Sequence, residues 1–176
     1  MIDSAHITSH STLQQDDYII GGPGPDFVFG DHGIIILNET KPYKLDFAST
    51  TDPNCTPGND TIYLGDGDDI AFGGAFSDTI YGEAGQDIIL GDFGLYNATN
   101  QFLPHQYVEP IIMDFDWAGA DFIYGGDDDD FLMGQEDRDR IEGGGGSDDI
   151  IGGHSKREGE DTGDELFGDE GDDGKS

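Results

Sequence analysis

The chain has 176 residues, of which 39 are acidic and only 7 are Lys or Arg, so its net charge is −32; it also contains 29 glycines and a single cysteine, Cys55. So few basic residues exclude general binding to nucleic-acid phosphates and to anionic lipid, and one cysteine excludes an intramolecular disulfide. Because carboxylates at this density repel one another in a compact state, the composition indicates that cations, most simply metal ions, must offset them.

The N-terminal residues 1–17 are predicted to form a polar tail. They are rich in Ser, Thr and His, and they lack the cationic start and the apolar run of a secretory signal. The longest strongly apolar run, Gly33–Leu37, is too short to span a bilayer, so no transmembrane segment is expected. Any export signal is expected to lie outside this sequence, and residues 174–176 are expected to be a truncated end of a longer protein.

From Gly21 onward the chain repeats a nine-residue pattern, G-G-x-G-x-D-x-U-x, in which U is a large apolar residue. Gly21–Phe29 fits this pattern completely, one run of repeats extends from Asp60 to Leu90, and a second extends from Asp121 to Ile151. The sixth-position residues, here called the template aspartates, are Asp26, Asp60, Asp69, Asp78, Asp87, Asp121, Asp130, Asp139 and Asp148.

A longer period of 61 residues carries the first run onto the second. It leaves two non-repeating segments, here called excursion 1 (about residues 34–57) and excursion 2 (about residues 95–118). Each follows the motif G-D-x-G, at Gly30–Gly33 and Gly91–Gly94, and the pattern is irregular again at 154–163. The excursions are predicted to be either ligand-binding loops or lids over one edge of a single repeat domain spanning 18–173.

Each nonapeptide predicts a turn followed by a very short strand. Glycine every few residues is costly in a helix, and the apolar residues recur every nine positions instead of every ~3.6. Two nonapeptides would complete one coil, and coils would stack at the strand spacing of ~4.8 Å. Template aspartates two repeats apart would then stack in pairs: Asp60 with Asp78, Asp69 with Asp87, Asp121 with Asp139, and Asp130 with Asp148. If each excursion simply replaces one turn, the further pairs are Asp26 with Asp69, Asp78 with Asp121, and Asp87 with Asp130.

The stacked turns predict all-oxygen cages for Ca²⁺. Glycines let the backbone turn sharply and point its carbonyls inward, and the template aspartates add carboxylates, which suits an ion that takes about six to eight oxygen ligands. Zinc and copper would need His and Cys residues, which are scarce here. Roughly four to nine ions are expected, at one per stacked pair of turns. Besides the template aspartates, the predicted ligand residues are Gly21, Gly22, Gly24, Gly65, Gly67, Gly73, Gly82, Gly85, Gly125, Gly143 and Gly146.

This tandem Gly/Asp pattern resembles the repeats-in-toxin (RTX), or haemolysin-type, calcium-binding nonapeptide repeat. The resemblance implies an all-β fold, a right-handed parallel β-roll that calcium orders after secretion, here with two long loop excursions. It also implies a secreted or extracellular location. The pattern departs from the family at the fourth repeat position, where Phe76 and Asp137 replace glycine, and those two turns are expected to hold calcium weakly.

The predicted function is that of a calcium-binding structural module of a larger secreted protein, and not that of an enzyme. The catalytic motifs H-E-x-x-H and G-x-S-x-G are absent. One alternative is a non-catalytic accessory domain of a secreted hydrolase, epimerase or toxin.

A second alternative is an adhesion module that binds polysaccharide or another cell-surface ligand. Its binding face would be formed by the excursions or by the aromatic residues that flank the U positions, such as Tyr63 and Tyr81. Those aromatic residues are instead expected to form a cross-strand ladder that packs on itself and on the excursions.

Overall fold

The computed structural model describes residues 16–37, 45–50, 57–97, 108–110, 117, 119–153, 163–171 and 173–175. Within these residues every helix or strand assigned is a β-strand. The strands are β1 (Tyr18–Pro23), β2 (Phe27–Phe29), β3 (Gly33–Leu37), β4 (Leu45–Thr50), β5 (Thr61–Asp66), β6 (Ile70–Phe72), β7 (Thr79–Ala84), β8 (Ile88–Leu90), β9 (Gly94–Asn97), β10 (Val108–Pro110), β11 (Phe122–Asp127), β12 (Phe131–Gln135), β13 (Arg140–Gly145), β14 (Asp149–Gly153), β15 (Glu165–Glu170) and β16 (Gly174–Lys175).

The repeats build two parallel sheets of six strands each. The first sheet has the order β1-β5-β7-β11-β13-β15, and the second has the order β2-β6-β8-β12-β14-β16. Consecutive repeats alternate between the two sheets, and the register places equivalent repeat positions side by side, as with Ile62, Ile80 and Ile123. The predicted all-β parallel β-roll is therefore confirmed.

The core between the two sheets is a file of U residues. Successive side chains of a strand point to opposite faces, so each U residue points inward while its two neighbours point outward. The U residues predicted from the pattern lie in one buried cluster, joined by Ile19 and Leu64, which the pattern did not single out. The cluster consists of Ile19, Val28, Ile62, Leu64, Ala71, Ile80, Ile89, Ile123, Leu132, Ile141 and Ile150, with Leu166 packed against it.

The two excursions contribute strands to one four-stranded antiparallel sheet, with the order β10-β9-β4-β3. Strand β4 of excursion 1 pairs with β9 of excursion 2, and Ala48 lies opposite Tyr96. Ala48 is fully buried against aromatic side chains of the second parallel sheet, among them Phe27 and Phe72. The described parts of the excursions therefore form a lid over the outer face of that sheet, here called the lid sheet.

Close packing explains the second glycine of each G-D-x-G motif. A Cβ atom at Gly33 would lie 2.4 Å from the ring of Phe29, and one at Gly94 would lie 2.6 Å from the ring of Phe72. Since real Cβ atoms do not approach other atoms so closely, only glycine lets the excursion leave the roll directly against these rings.

The outer face of the first parallel sheet carries a column of stacked tyrosines. The rings of Tyr63 and Tyr81 are 4.6 Å apart, and those of Tyr81 and Tyr124 are 4.9 Å apart, with interplanar angles of 9° in both cases. The expected cross-strand ladder is thus confirmed on this face. None of the described residues belongs to a helix that is long and apolar enough to cross a membrane.

Candidate calcium-binding turns

Two rows of turns connect the parallel sheets, one along each edge of the roll. The row that leads from the first sheet to the second consists of residues 21–26, 64–69, 82–87, 125–130 and 143–148, together with 168–171 and 173. The row that leads back contains the direct turns 73–78 and 134–139, and it also contains the turns that the excursions interrupt, which end at Asp60 and Asp121. Every template aspartate is the last residue of a turn, immediately before a strand.

The template aspartates stack as predicted. The backbone N–H of Asp60 donates to Oδ1 of Asp78 at 2.7 Å, 18 positions further along the chain. Across excursion 2, the N–H of Asp78 donates to Oδ1 of Asp121 at 2.8 Å, 43 positions along. The same bond joins the other predicted pairs: Asp26 to Asp69, Asp69 to Asp87, Asp87 to Asp130, Asp121 to Asp139 and Asp130 to Asp148. All seven predicted pairs are confirmed, and each excursion does replace a single turn.

The second carboxylate oxygen of these residues has no hydrogen-bond donor. Eight of the nine template aspartates, all except Asp26, have a fully buried Oδ2 atom without a partner. A buried acceptor without a donor is costly, and an ionised one is far more so. A cation or a proton is therefore needed at each Oδ2 to offset this cost. A row of carboxylate oxygens that accept no N–H group fits a hard divalent cation.

The predicted glycines make room for this arrangement. A Cβ atom at Gly82 would lie 2.4 Å from Oδ2 of Asp87 and 2.2 Å from the carbonyl oxygen of Gly125 in the next coil. Gly21, Gly73, Gly125 and Gly143 face the aspartate of their own turn in the same way. The remaining predicted glycines adopt positive φ angles and shape the turns: Gly22, Gly24, Gly65, Gly67, Gly85 and Gly146.

Burial makes the template carboxylates resist ionisation when no cation is present. Loss of solvation is the largest cause, and it raises the pKa of Asp87 to about 7 and the pKa of Asp130 and Asp139 to about 8. Stacked N–H donors lower these pKa values, while neighbouring carboxylates raise them further. The pKa values of Asp78 and Asp121 lie well above the usual range for the same reasons.

Among the described residues, no three acidic, histidine or cysteine side chains converge on a point that could hold a metal ion. A cation at these turns would need backbone oxygens as further ligands, and the carbonyl of Gly125 and Oδ2 of Asp87 both lie beside Gly82. Asp69, Asp87 and Asp130 also line a groove of about 470 Å³ that is partly open to solvent.

The structure extends the aspartate columns beyond the residues predicted from the sequence. The N–H of Asp17 donates to Oδ1 of Asp60, the N–H of Asp139 donates to Asp164, and the N–H of Asp148 donates to Asp173. The pattern D-x-U was present at Asp17 and Asp164. The turn before Asp17 has no glycine, and the irregular segment 154–163 obscured the phase of the repeat at Asp164.

Comparison with known families agrees with the geometry. The model of the RTX calcium-binding nonapeptide repeat, which spans four copies, matches residues 13–33, 56–78, 63–94, 118–141 and 124–153, together more than half of the chain. No curated protein matches the chain. Repeats of this kind bind calcium, play a structural rather than a catalytic role, and are typical of secreted proteins. With its stacked template aspartates and parallel roll, the chain belongs to the RTX calcium-binding nonapeptide repeat family.

Proposed function

We propose that this chain is a non-catalytic structural module of a larger secreted protein, and that it folds when calcium binds. The observation that carries the proposal is the row of buried Oδ2 atoms without donors. The proposed ligands are the template aspartates together with carbonyls of the turn glycines predicted from the sequence.

Calcium binding and folding are coupled because the cages exist only in the stacked state. In the unfolded chain the carboxylates are solvated and far apart, so an ion bound by the roll stabilises the folded state by mass action. Extracellular calcium modules typically bind at about 10⁻⁴–10⁻³ M. A module of this affinity would stay unfolded inside the cell and fold after export.

Circular dichroism during a calcium titration tests this proposal directly. The chain should show little β-structure in EDTA, gain it at millimolar calcium, and fail to gain it at equal magnesium, because Mg²⁺ dehydrates reluctantly and requires a tighter octahedron. Ion stoichiometry from equilibrium dialysis should rise with the same midpoint. A chain that is equally folded in EDTA would overturn the proposal.

The aromatic residues give little support to an adhesion function. On the second sheet, Phe27 and Phe72 are covered by the lid sheet. On the first sheet, the stacked rings of Tyr63, Tyr81 and Tyr124 occupy one another's faces, and those faces are what a sugar ring would need. An accessory role beside a hydrolase, epimerase or toxin is a variant of the same proposal, because catalysis would lie outside these residues.

A further inference from the structure

Asp92 is a buried carboxylate that the repeat template does not account for. It occupies the second position of its turn, where the template has glycine, and only 1% of its surface is exposed. Its Oδ1 accepts the N–H of Gly119, where excursion 2 returns to the roll, at 3.3 Å. Its Oδ2 accepts the N–H of Glu136, in the next coil, at 3.0 Å. One carboxylate thus joins its own turn to two other segments at the base of the excursion.

The same arrangement recurs at the base of excursion 1. Asp31 accepts the N–H of Ala75 in the next coil at 2.7 Å and is also hydrogen-bonded by the backbone of Gly58, where excursion 1 returns. A shift of 61 residues carries Asp31 and both of its partners onto Asp92 and its partners. Both turns that carry an excursion therefore hold a carboxylate with equivalent hydrogen-bond partners.

The described surroundings of Asp92 supply no positive charge. The charges that act on it most strongly are the carboxylates of Glu136 and Asp137, and Asp92 acts in turn on Asp121. Arg138, in the neighbouring turn, is exposed and pairs with Glu165. Among the described residues, the hydrogen-bond donors to this buried carboxylate are the neutral N–H groups of Gly119 and Glu136.

An independent observation points to a ligand at this position. Oδ2 of Asp121 is fully buried without a partner. It lies 2.1 Å from the Cβ position of Gly91, the residue before Asp92, and the carbonyl oxygen of Gly134 lies 2.6 Å from the same position. Oxygens from two coils therefore line this turn.

We propose that Asp92 is a ligand of a divalent cation, calcium in the secreted setting, that is bound at the base of excursion 2 together with Asp121 and backbone carbonyls. Asp31 has the same role at the base of excursion 1. The proposal rests on the proposed function and deepens it, since these two ions would fix the lid sheet to the roll. The competing explanation is that Asp92 has only a structural role and holds backbone segments together through its two hydrogen bonds.

The variant Asp92→Asn removes the charge and keeps the size and one acceptor oxygen. Because it also removes one of the two hydrogen bonds, the number of bound ions, and not the stability, separates the two explanations. Asp129→Asn is the matched control: the Oδ1 of Asp129 also accepts an N–H from the next coil, that of Ser147 at 2.8 Å, but its side chain is exposed to water. Circular dichroism at millimolar calcium checks that both variants are folded.

Terbium replaces calcium as a luminescent probe of the base of excursion 2. The chain has a single tryptophan, Trp117, whose carbonyl accepts the N–H of Phe76 at 2.6 Å and which lies two positions before Gly119. Terbium emission excited through tryptophan therefore reports on ions near the base of excursion 2. We expect Asp92→Asn to lower this emission and to lose about one bound calcium per chain, and Asp129→Asn to change neither.

Each outcome bears on one proposal or the other. If the parent chain binds calcium and Asp92→Asn keeps both the emission and the number of bound ions, Asp92 has only a structural role. The inference is then wrong, while the proposed function stands. If the parent chain binds no calcium, the proposed function fails and the inference fails with it. If Asp92→Asn does not fold, Asp31→Asn decides: it should lose about one ion and keep the tryptophan-sensitised emission, and an unchanged ion count would overturn the proposal.

Discussion

At Asp87, one carboxylate oxygen accepts the backbone N–H of Asp69 at 2.9 Å, while the other is buried without a donor. The hydrogen bond of the first oxygen joins two coils whether or not an ion is bound. Burial of the second oxygen is favourable only when a cation or a proton lies beside it. Substitutions that remove the charge and keep the hydrogen bond should therefore have effects of opposite sign with and without calcium.

Asp87→Asn is predicted to lower the free energy of unfolding in saturating calcium by about 2 kcal/mol, the scale of a lost interaction with a charged group. In EDTA the same variant should be no less structured than the parent chain, because an uncompensated buried carboxylate has been removed. Urea denaturation under both conditions measures the difference. Asp68→Asn is the control, since Asp68 is exposed although its Oδ1 accepts the N–H of Gln86; an equal loss in both variants would contradict the prediction.

The raised carboxyl pKa values predict an unusual pH dependence for the calcium-free chain. Desolvation raises the pKa of Asp60 to about 7 and the pKa of Asp139 to about 8, above the unfolded value of 3.8. The folded state thus binds these protons more tightly than the unfolded state does. The resulting stability is fully present below about pH 4 and is lost as the pH rises through about 7 to 8.

In EDTA, acidification from pH 9 should therefore increase β-structure before pH 5 is reached, above the range in which exposed carboxylates titrate (about pH 4). In calcium the direction reverses, because protons compete with the ion for the same oxygens and acid should unfold the roll. Circular dichroism against pH under the two conditions measures both trends. Parallel curves would show that ions and protons do not share the template carboxylates.

Among the elements, the strands of the roll were predictable from the sequence, and the lid sheet was not. Each roll strand follows from a local rule, an apolar residue two places after an aspartate, which recurs at Ile62, Ile80 and Ile123. The stacking of aspartates then follows from the period alone. The pairing of β4 with β9 joins two separate excursions that lie outside the nonapeptide pattern, so no repeat encodes it.

The same distinction applies to the site. The template aspartates recur at a fixed spacing and could be named from the sequence. The position of Asp92 recurs only with the 61-residue period, as Asp31 and Asp92. The surroundings of Asp92 depend on where excursion 2 returns at Gly119. Its importance is visible only when the excursion, its return and the next coil are placed together.

A single charged residue at the contact between the lid sheet and the roll should detach the lid sheet and leave the roll folded. Ala48→Asp places a carboxylate at a fully buried position that packs against the second sheet, at a cost of about 2–7 kcal/mol if it finds no partner. Ser49→Asp, at the neighbouring residue that is only partly buried, is the control. Hydrogen exchange in calcium should show faster exchange in β3, β4 and β9 of Ala48→Asp, with protection of the parallel sheets retained. Equal loss of protection in the roll would show that the lid is required for its stability.

For the whole molecule, the question is whether calcium acts by general screening of charge or by binding at sites. A net charge of −32 opposes compaction, and 1 M NaCl reduces the Debye length to about 3 Å, so salt alone removes most repulsion between exposed carboxylates. Salt does not place an ion beside the Oδ2 atoms, because these atoms are buried away from the dissolved ions. They also accept no hydrogen bond that would offset their charge.

Screening by 1 M NaCl in EDTA is therefore predicted to leave the chain expanded, whereas millimolar calcium at low ionic strength should compact it. For a chain of this length the radius of gyration should fall from about 45 Å to about 16 Å or somewhat more, because a solenoid is elongated. Small-angle scattering measures the change, and potassium chloride serves as a second salt without divalent ions. Compaction and β-structure in sodium chloride alone would mean that relief of repulsion is sufficient, and that the stacked aspartates do not need a bound ion to hold the coils together.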